Sequence, residues 1–120
     1  MEGKILIDFD GTIVEQIHPR SSDPTDFIGA IRDGAKEAIC KLKDMGFEII
    51  IASGRFDPKF PVCKFQRKIV IDFLVKNEIP FDDLFAKPRN TIAIIDDIAI
   101  FSQDTWDASI SRVIRLWETK

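Results

Sequence analysis

Apolar residues in this chain come in short runs that stop abruptly on acids or hydroxyls. Ile5-Leu6-Ile7 leads into Asp8-Phe9-Asp10-Gly11-Thr12, Phe47 to Ala52 into Ser53-Gly54-Arg55, and Ile92 to Ile95 into Asp96-Asp97. A strand buried on both faces reads as such a run, and the polar residues mark where the chain leaves the sheet. Asp82 to Phe85 reads as a further strand leading into Ala86-Lys87-Pro88, and Ile98 to Phe101 as a short edge strand. Helical spacing fills the intervals. Ala35, Ala38, Ile39, Leu42 and Met45 share one face and stop at Gly46. Ile69, Val70, Phe73 and Leu74 share another, in a helix ending near Asn77 ahead of Pro80. Trp106, Ile110, Val113, Ile114 and Trp117 predict a C-terminal helix. Strands alternating with helices predict a small parallel sheet with right-handed crossovers and helices on both faces, a three-layer α/β/α, Rossmann-like architecture. A chain of 120 residues fits one domain, 1–120, that buries roughly two-thirds of its extended surface.

Three stretches break the rhythm: Ile13 to Asp33 and Phe56 to Lys68, both long for connections and both expected to flank a site, and the shorter Lys87 to Thr91. In parallel sheets ligands bind beyond the carboxyl ends of the strands. The residues that close the predicted strands are Asp8, Asp10, Ser53, Lys87, Asp96 and Asp97. Taken singly each is ordinary, since Asp-Gly-Thr makes a turn and paired Asp makes a solvated strand end. Together they fall on one sheet edge in an order that one mechanism uses. Two unit charges about 4 Å apart repel by about 4 kcal/mol at an effective dielectric near 20, so four carboxylates with one lysine call for a cation. Oxygen-only donors point to Mg²⁺, which commonly shares its site with a phosphate. Asp8 is then the nucleophile toward phosphorus and Asp10 the general acid and base. Ser53 and Gly54 hold phosphoryl oxygens, Lys87 offsets their charge, and Asp96 with Asp97 completes the metal site. Gly11, Thr12 and Arg55 join the expected phosphate-binding set.

At these residues the chain resembles the haloacid dehalogenase superfamily of phosphohydrolases. Ile5-Leu6-Ile7-Asp8-Phe9-Asp10-Gly11-Thr12 is similar to its first motif and Ile49 to Arg55 to its second. Lys87 stands in the place of its third, and Ile94-Ile95-Asp96-Asp97 resembles the acidic fourth. The resemblance implies an aspartyl-phosphate on Asp8. It gives Asp10 an acid–base role together with a carbonyl offered to Mg²⁺, and makes Asp96 a metal ligand, with Asp97 binding directly or through water. It also implies a capless member, because Ile13 to Asp33 and Phe56 to Phe85 hold only loops, one helix and a short strand.

Composition narrows the partners. With 17 Lys plus Arg against 20 Asp plus Glu the net charge is −3, too acidic for a dedicated duplex-binding module, so nucleic acid enters only as a substrate. Two cysteines, no apolar run of membrane-spanning length and no leader-like N-terminus predict a soluble, cytoplasmic protein, and leave homo-oligomers open. The expected substrate is a phosphate ester, small or macromolecular. His18 in the first loop is a substrate-contact candidate with a solvent-facing alternative, Cys40 is packing, and Cys63 has no predictable partner. Arg55, Lys59, Lys64, Arg67 and Lys68 form either an anion-attracting cluster or a solvated basic face. Rival readings are a receiver-like phosphoacceptor domain, which would carry its lone Asp on a middle strand where this chain has Ser53, and a non-catalytic binding protein on the same fold.

Overall fold

The computed structural model describes residues 1–17, 27–101 and 105–119. Its elements are β1 (Lys4–Asp8), α1 (Ala35–Asp44), β2 (Glu48–Ser53), a single 3₁₀ turn (Gly54–Phe56), α2 (Cys63–Lys76), β3 (Asp83–Ala86) and α3 (Trp106–Glu118). The fold is α/β, with β1, β2 and β3 forming a parallel sheet in that order. The register sets Asp8 opposite Ala52 and Ser53 opposite Ala86, so the polar strand ends emerge together.

Local chemistry accounts for the element bounds. α1 starts after Gly34 at φ 83° and is followed by Gly46 at φ 101°, both in the left-handed region where glycine is unstrained. At Gly46 a Cβ would also lie 2.5 Å from the Met1 carbonyl oxygen. α2 begins six residues earlier than the apolar face at Ile69 announces, so the second connection ends at Val62 rather than Lys68. Pro58 and Pro61 and the basic residues after them make Cys63 to Lys68 look like loop in the sequence. In the fold that first turn and a half presents Gln66 to the interior.

Two expectations are corrected. Ile92 to Ile95 and Ile98 to Phe101 form no strand, and among the described residues the sheet has three strands. Ile92 and Ile95 are 91% and 101% exposed, so the run buries nothing, and apolar character without a partner edge does not make a strand. The three-layer architecture is also not seen among the described residues. Both crossovers step the same way, from β1 to β2 to β3, and right-handed connections of that kind place α1 and α2 on one face. Burial agrees: Ile7, Ile49 and Ile51 face the core, whereas Leu6 and Phe85 on the other face are 54% and 47% exposed. A second helical layer requires a crossover that reverses direction at β1. The run at Ile92, from which such a strand was expected, does not pair.

The core joins Ile7, Phe9, Ile39, Leu42, Ile49, Ile51, Val70, Leu74 and Ile110 in one cluster. Phe9 meets Phe73 edge-on at 5.9 Å, which ties β1 to α2. α3 packs beside α1: Trp106 lies against Gly34, and Trp117 donates through Nε1 to the Glu2 carbonyl at 2.8 Å. At the opposite edge from the polar strand ends, Asp82 accepts from Lys43 Nζ at 2.7 Å and from the Ile49 N–H at 2.8 Å. The ammonium first and the N–H second hold its carboxyl below the usual range.

Candidate active site

The turn after β1 is built around the Phe9 carbonyl, which accepts from the N–H groups of Thr12, Ile13 and Val14 at 3.2, 3.0 and 3.2 Å. Phe9, Ile13 and Val14 are fully buried, so the polar residues between them are left at the sheet edge. Gly11 makes the turn at φ 84°, and its N–H donates to the Val14 carbonyl at 2.8 Å. The returning segment is fastened to this turn. The Ala30 carbonyl accepts from the Glu15 N–H at 2.8 Å, and Arg32 donates from its main chain to Ile13 and from Nη1 to the Gly11 carbonyl, both at 2.9 Å.

Each of the two carboxylates on this turn has its own cation. Lys87 Nζ donates to Asp8 Oδ1 at 2.9 Å, and Thr12 Oγ1 donates to Asp8 Oδ2 at 3.3 Å. Lys87 is placed by its N–H, which continues the β2–β3 ladder to the Ser53 carbonyl at 3.0 Å. Arg55 grips Asp10 with two bonds, Nε to Oδ2 at 2.8 Å and Nη2 to Oδ1 at 2.9 Å. The Arg55 side chain is 3% exposed, and it also donates to Gln66 Oε1 at 2.8 Å and to the Phe27 carbonyl at 2.9 Å. Its guanidinium also lies 5.9 Å from the Phe9 ring centre. Ser53 is buried and its Oγ accepts from the Arg55 N–H at 3.0 Å, capping the 3₁₀ turn that begins with Gly54.

The structure therefore brings together Asp8, Asp10, Gly11, Thr12, Ser53, Gly54, Arg55 and Lys87. It does not bring in Asp96 and Asp97, which are exposed on the unpaired segment. Asp96 Oδ1 accepts from the Ile98 N–H at 2.9 Å, and that bond first, then Asp97, holds its carboxyl below the usual range. Among the described residues no three His, Cys, Asp or Glu lie close enough to hold a metal ion. Asp8 and Asp10 suit a hard cation in donor type, and the third carboxylate is not at hand. His18 lies outside the described residues, as does much of the first long connection.

Sequence reasoning missed four contributors. Gln66 and the Phe27 carbonyl complete the Arg55 nest. Asp57 and Arg89 join the two connections at the rim: Asp57 accepts from the Lys59 N–H at 3.0 Å and the Arg89 N–H at 2.8 Å. Those bonds, the one from Arg89 foremost, lower the Asp57 carboxyl below its ordinary value. The Arg89 guanidinium stacks on Phe60 at 4.2 Å. A buried Gln one turn into a helix was the only available signal, and loop proline and lysine hid it. The basic cluster is partly engaged, with Arg67 over Phe56 at 5.6 Å and Lys68 paired to Asp72 at 2.9 Å.

No family model and no curated protein matches the chain. Among solved structures it is similar to an MCSG target from Vibrio cholerae, at 22% identity over 93% of this chain and 97% of that one, with a TM-score of 0.65. That likeness concerns the fold. No helix among the described residues is long and apolar enough to cross a membrane.

Proposed function

We propose that the protein is a Mg²⁺-dependent phosphomonoester hydrolase of the haloacid dehalogenase type, in a single capless domain, working through an aspartyl-phosphate on Asp8. The observation that carries this reading is the pairing of Asp8 with Lys87 across 79 residues, beside Asp10, Thr12 and Ser53 at one sheet edge. A lysine within bonding reach of the nucleophile is where charge grows as phosphorus is attacked.

In the first step an Asp8 oxygen forms a bond to phosphorus as the ester P–O bond breaks, and the leaving oxygen takes its proton from the Asp10 carboxyl. In the second, water attacks the same phosphorus, Asp10 accepts the water's proton, and the phosphoryl–Asp8 bond breaks to release phosphate. Both Asp10 oxygens accept from Arg55, which fixes the plane of the carboxyl group that exchanges these protons. Lys87 stabilises the phosphoryl oxygens in both steps, and the Thr12 hydroxyl fixes the free Asp8 oxygen. Bound Mg²⁺ would supply neutralisation between Asp8 and the incoming phosphate; Asp8 and the Asp10 carbonyl are the donors at the sheet edge that would hold it, while Asp96 and Asp97 stand apart from them on the exposed segment.

The test is an assay with Mg²⁺ on phosphorylated sugars, nucleotides and 3′- or 5′-phosphorylated oligonucleotides. The expected result is steady turnover of at least one ester, stopped by chelator. Uptake of phosphate with no release would support the receiver-like reading instead, and turnover undiminished in excess chelator would remove Mg²⁺ from the scheme.

A further inference from the structure

We propose that Arg55 is the positioning residue for Asp10, and that it acts on the reaction through Asp10 rather than by touching the phosphate. This rests on the hydrolase reading above. Its position directly after Ser53-Gly54 suggests a phosphate ligand, but its geometry serves a different purpose. A side chain only 3% exposed, with bonds from all three nitrogens to Asp10, Gln66 and Phe27, has its fork directed inward. Two parallel N–H bonds to one carboxylate fix both its distance and its plane, which a single ammonium contact does not.

The anchoring also explains why three distant segments meet here. Gln66 on α2 holds the far side of the guanidinium, and the Phe27 carbonyl ties it to the segment that returns to the β1 turn at Ala30 and Arg32. Arg55 thus links α2 and the 27–33 segment to the orientation of one carboxylate. General acid–base help depends on the heavy atoms standing within hydrogen-bond reach of the proton they exchange. A carboxylate released from this grip keeps its chemistry and loses its aim.

The experiment is a kinetic cycle with Arg55→Lys, Asp10→Asn and the double variant, plus Gln66→Leu, on whichever ester the wild type turns over best. Arg55→Lys should lower kcat by about 10- to 100-fold, a part of the usual worth of general acid–base help, with KM changed less than threefold. In the Asp10→Asn background the same substitution should change kcat less than twofold, because the group it serves is already gone. Gln66→Leu, which leaves both charges in place, should lower kcat in the same direction by a smaller factor and provides the test if Arg55→Lys does not fold. A tenfold rise in KM in either variant, or an equal loss of kcat in both backgrounds, would overturn the proposal. A wild type that turns over no ester would remove the hydrolase reading and this role with it, whereas an active wild type with the wrong pattern removes only the role of Arg55.

Discussion

The chain carries the same short text twice, an apolar run followed by two acids, and the two copies end up in opposite states. Ile5-Leu6-Ile7 pairs along β2, and its carboxylates Asp8 and Asp10 are met by Lys87 and Arg55 from 79 and 45 residues away. Among the described residues Ile92 to Ile95 pairs with no strand, and Asp96 finds an N–H two residues on. Periodicity reports that a segment is willing to be buried. A strand forms only where an edge and a face receive it, and an acid is tamed only where a distant cation arrives.

That contrast is sharpest for activity. Asp8→Asn should abolish turnover and leave the fold intact, since an amide keeps an oxygen acceptor for Lys87 and can turn its NH₂ to the Thr12 hydroxyl oxygen, while losing the attacking charge. Comparable turnover by the purified, Mg²⁺-loaded variant would assign the nucleophile elsewhere, and Asp96 and Asp97 would be the acids to test next.

Asp10 differs from Asp8 in what it leaves behind. Removing it by Asp10→Ala strands a guanidinium that is 3% exposed, and breaking a buried pair in this way costs about 3–5 kcal/mol. Asp10→Asn, which retains one acceptor, should cost less. Denaturant midpoints for both measure this. A loss below about 1 kcal/mol for Asp10→Ala, the scale of exposed ion pairs, would mean that water reaches Arg55 and that the grip on Asp10 is loose.

The apolar halves of the two runs give the next test. Ile7→Ala should cost about 2–5 kcal/mol, as core truncations do. Ile95→Ala should stay within about 0.5 kcal/mol, as surface changes do. Equal costs would show that the second run packs in solution, restoring the fourth strand and with it a route for Asp96 and Asp97 to reach Asp8.

Much of this was legible in the sequence. β1, α1, β2, β3 and α3 lie within a residue or so of their expected bounds, because each is a short apolar pattern bounded by a clear change of residue type, such as Gly46 after α1 or Ser53 at the end of β2. The seven expected site residues at positions 8–12 and 53–55 meet because adjacent parallel strands place their polar ends side by side. Partner choice was illegible. Nothing in Arg55 alone distinguishes a phosphate ligand from a carboxylate clamp, and the decision is made by Gln66, which the basic, proline-flanked start of α2 disguised as loop. That the described helices lie on one face was equally invisible, since it depends on the direction in which a crossover turns and not on any residue within it.

The smallest expected effect separates local from long-range stabilisation of carboxylates. Asp57, Asp82 and Asp96 all sit below the usual carboxylate range. For Asp57 and Asp82 the leading cause comes from afar, the Arg89 N–H 32 residues on and the Lys43 ammonium 39 residues back, although Asp57 also accepts from the Lys59 N–H two residues on. Those distant partners vanish on unfolding, so the Asp82 carboxyl regains its ordinary value in the unfolded chain and the Asp57 carboxyl moves back toward it. A group whose carboxyl is lowered only in the fold adds stability above its unfolded value near 3.8 and loses it as the pH falls through the folded one. Asp96 is lowered chiefly by the Ile98 N–H two residues on, a bond the unfolded chain also samples, so its folded and unfolded values should nearly coincide. Melting temperatures measured from neutral pH down into the carboxylate range should therefore fall, and Asp82→Asn should flatten the descent. Asp96→Asn should leave it unchanged, and a flattening there equal to that of Asp82→Asn would mean that the segment around Asp96 unfolds with the sheet rather than apart from it.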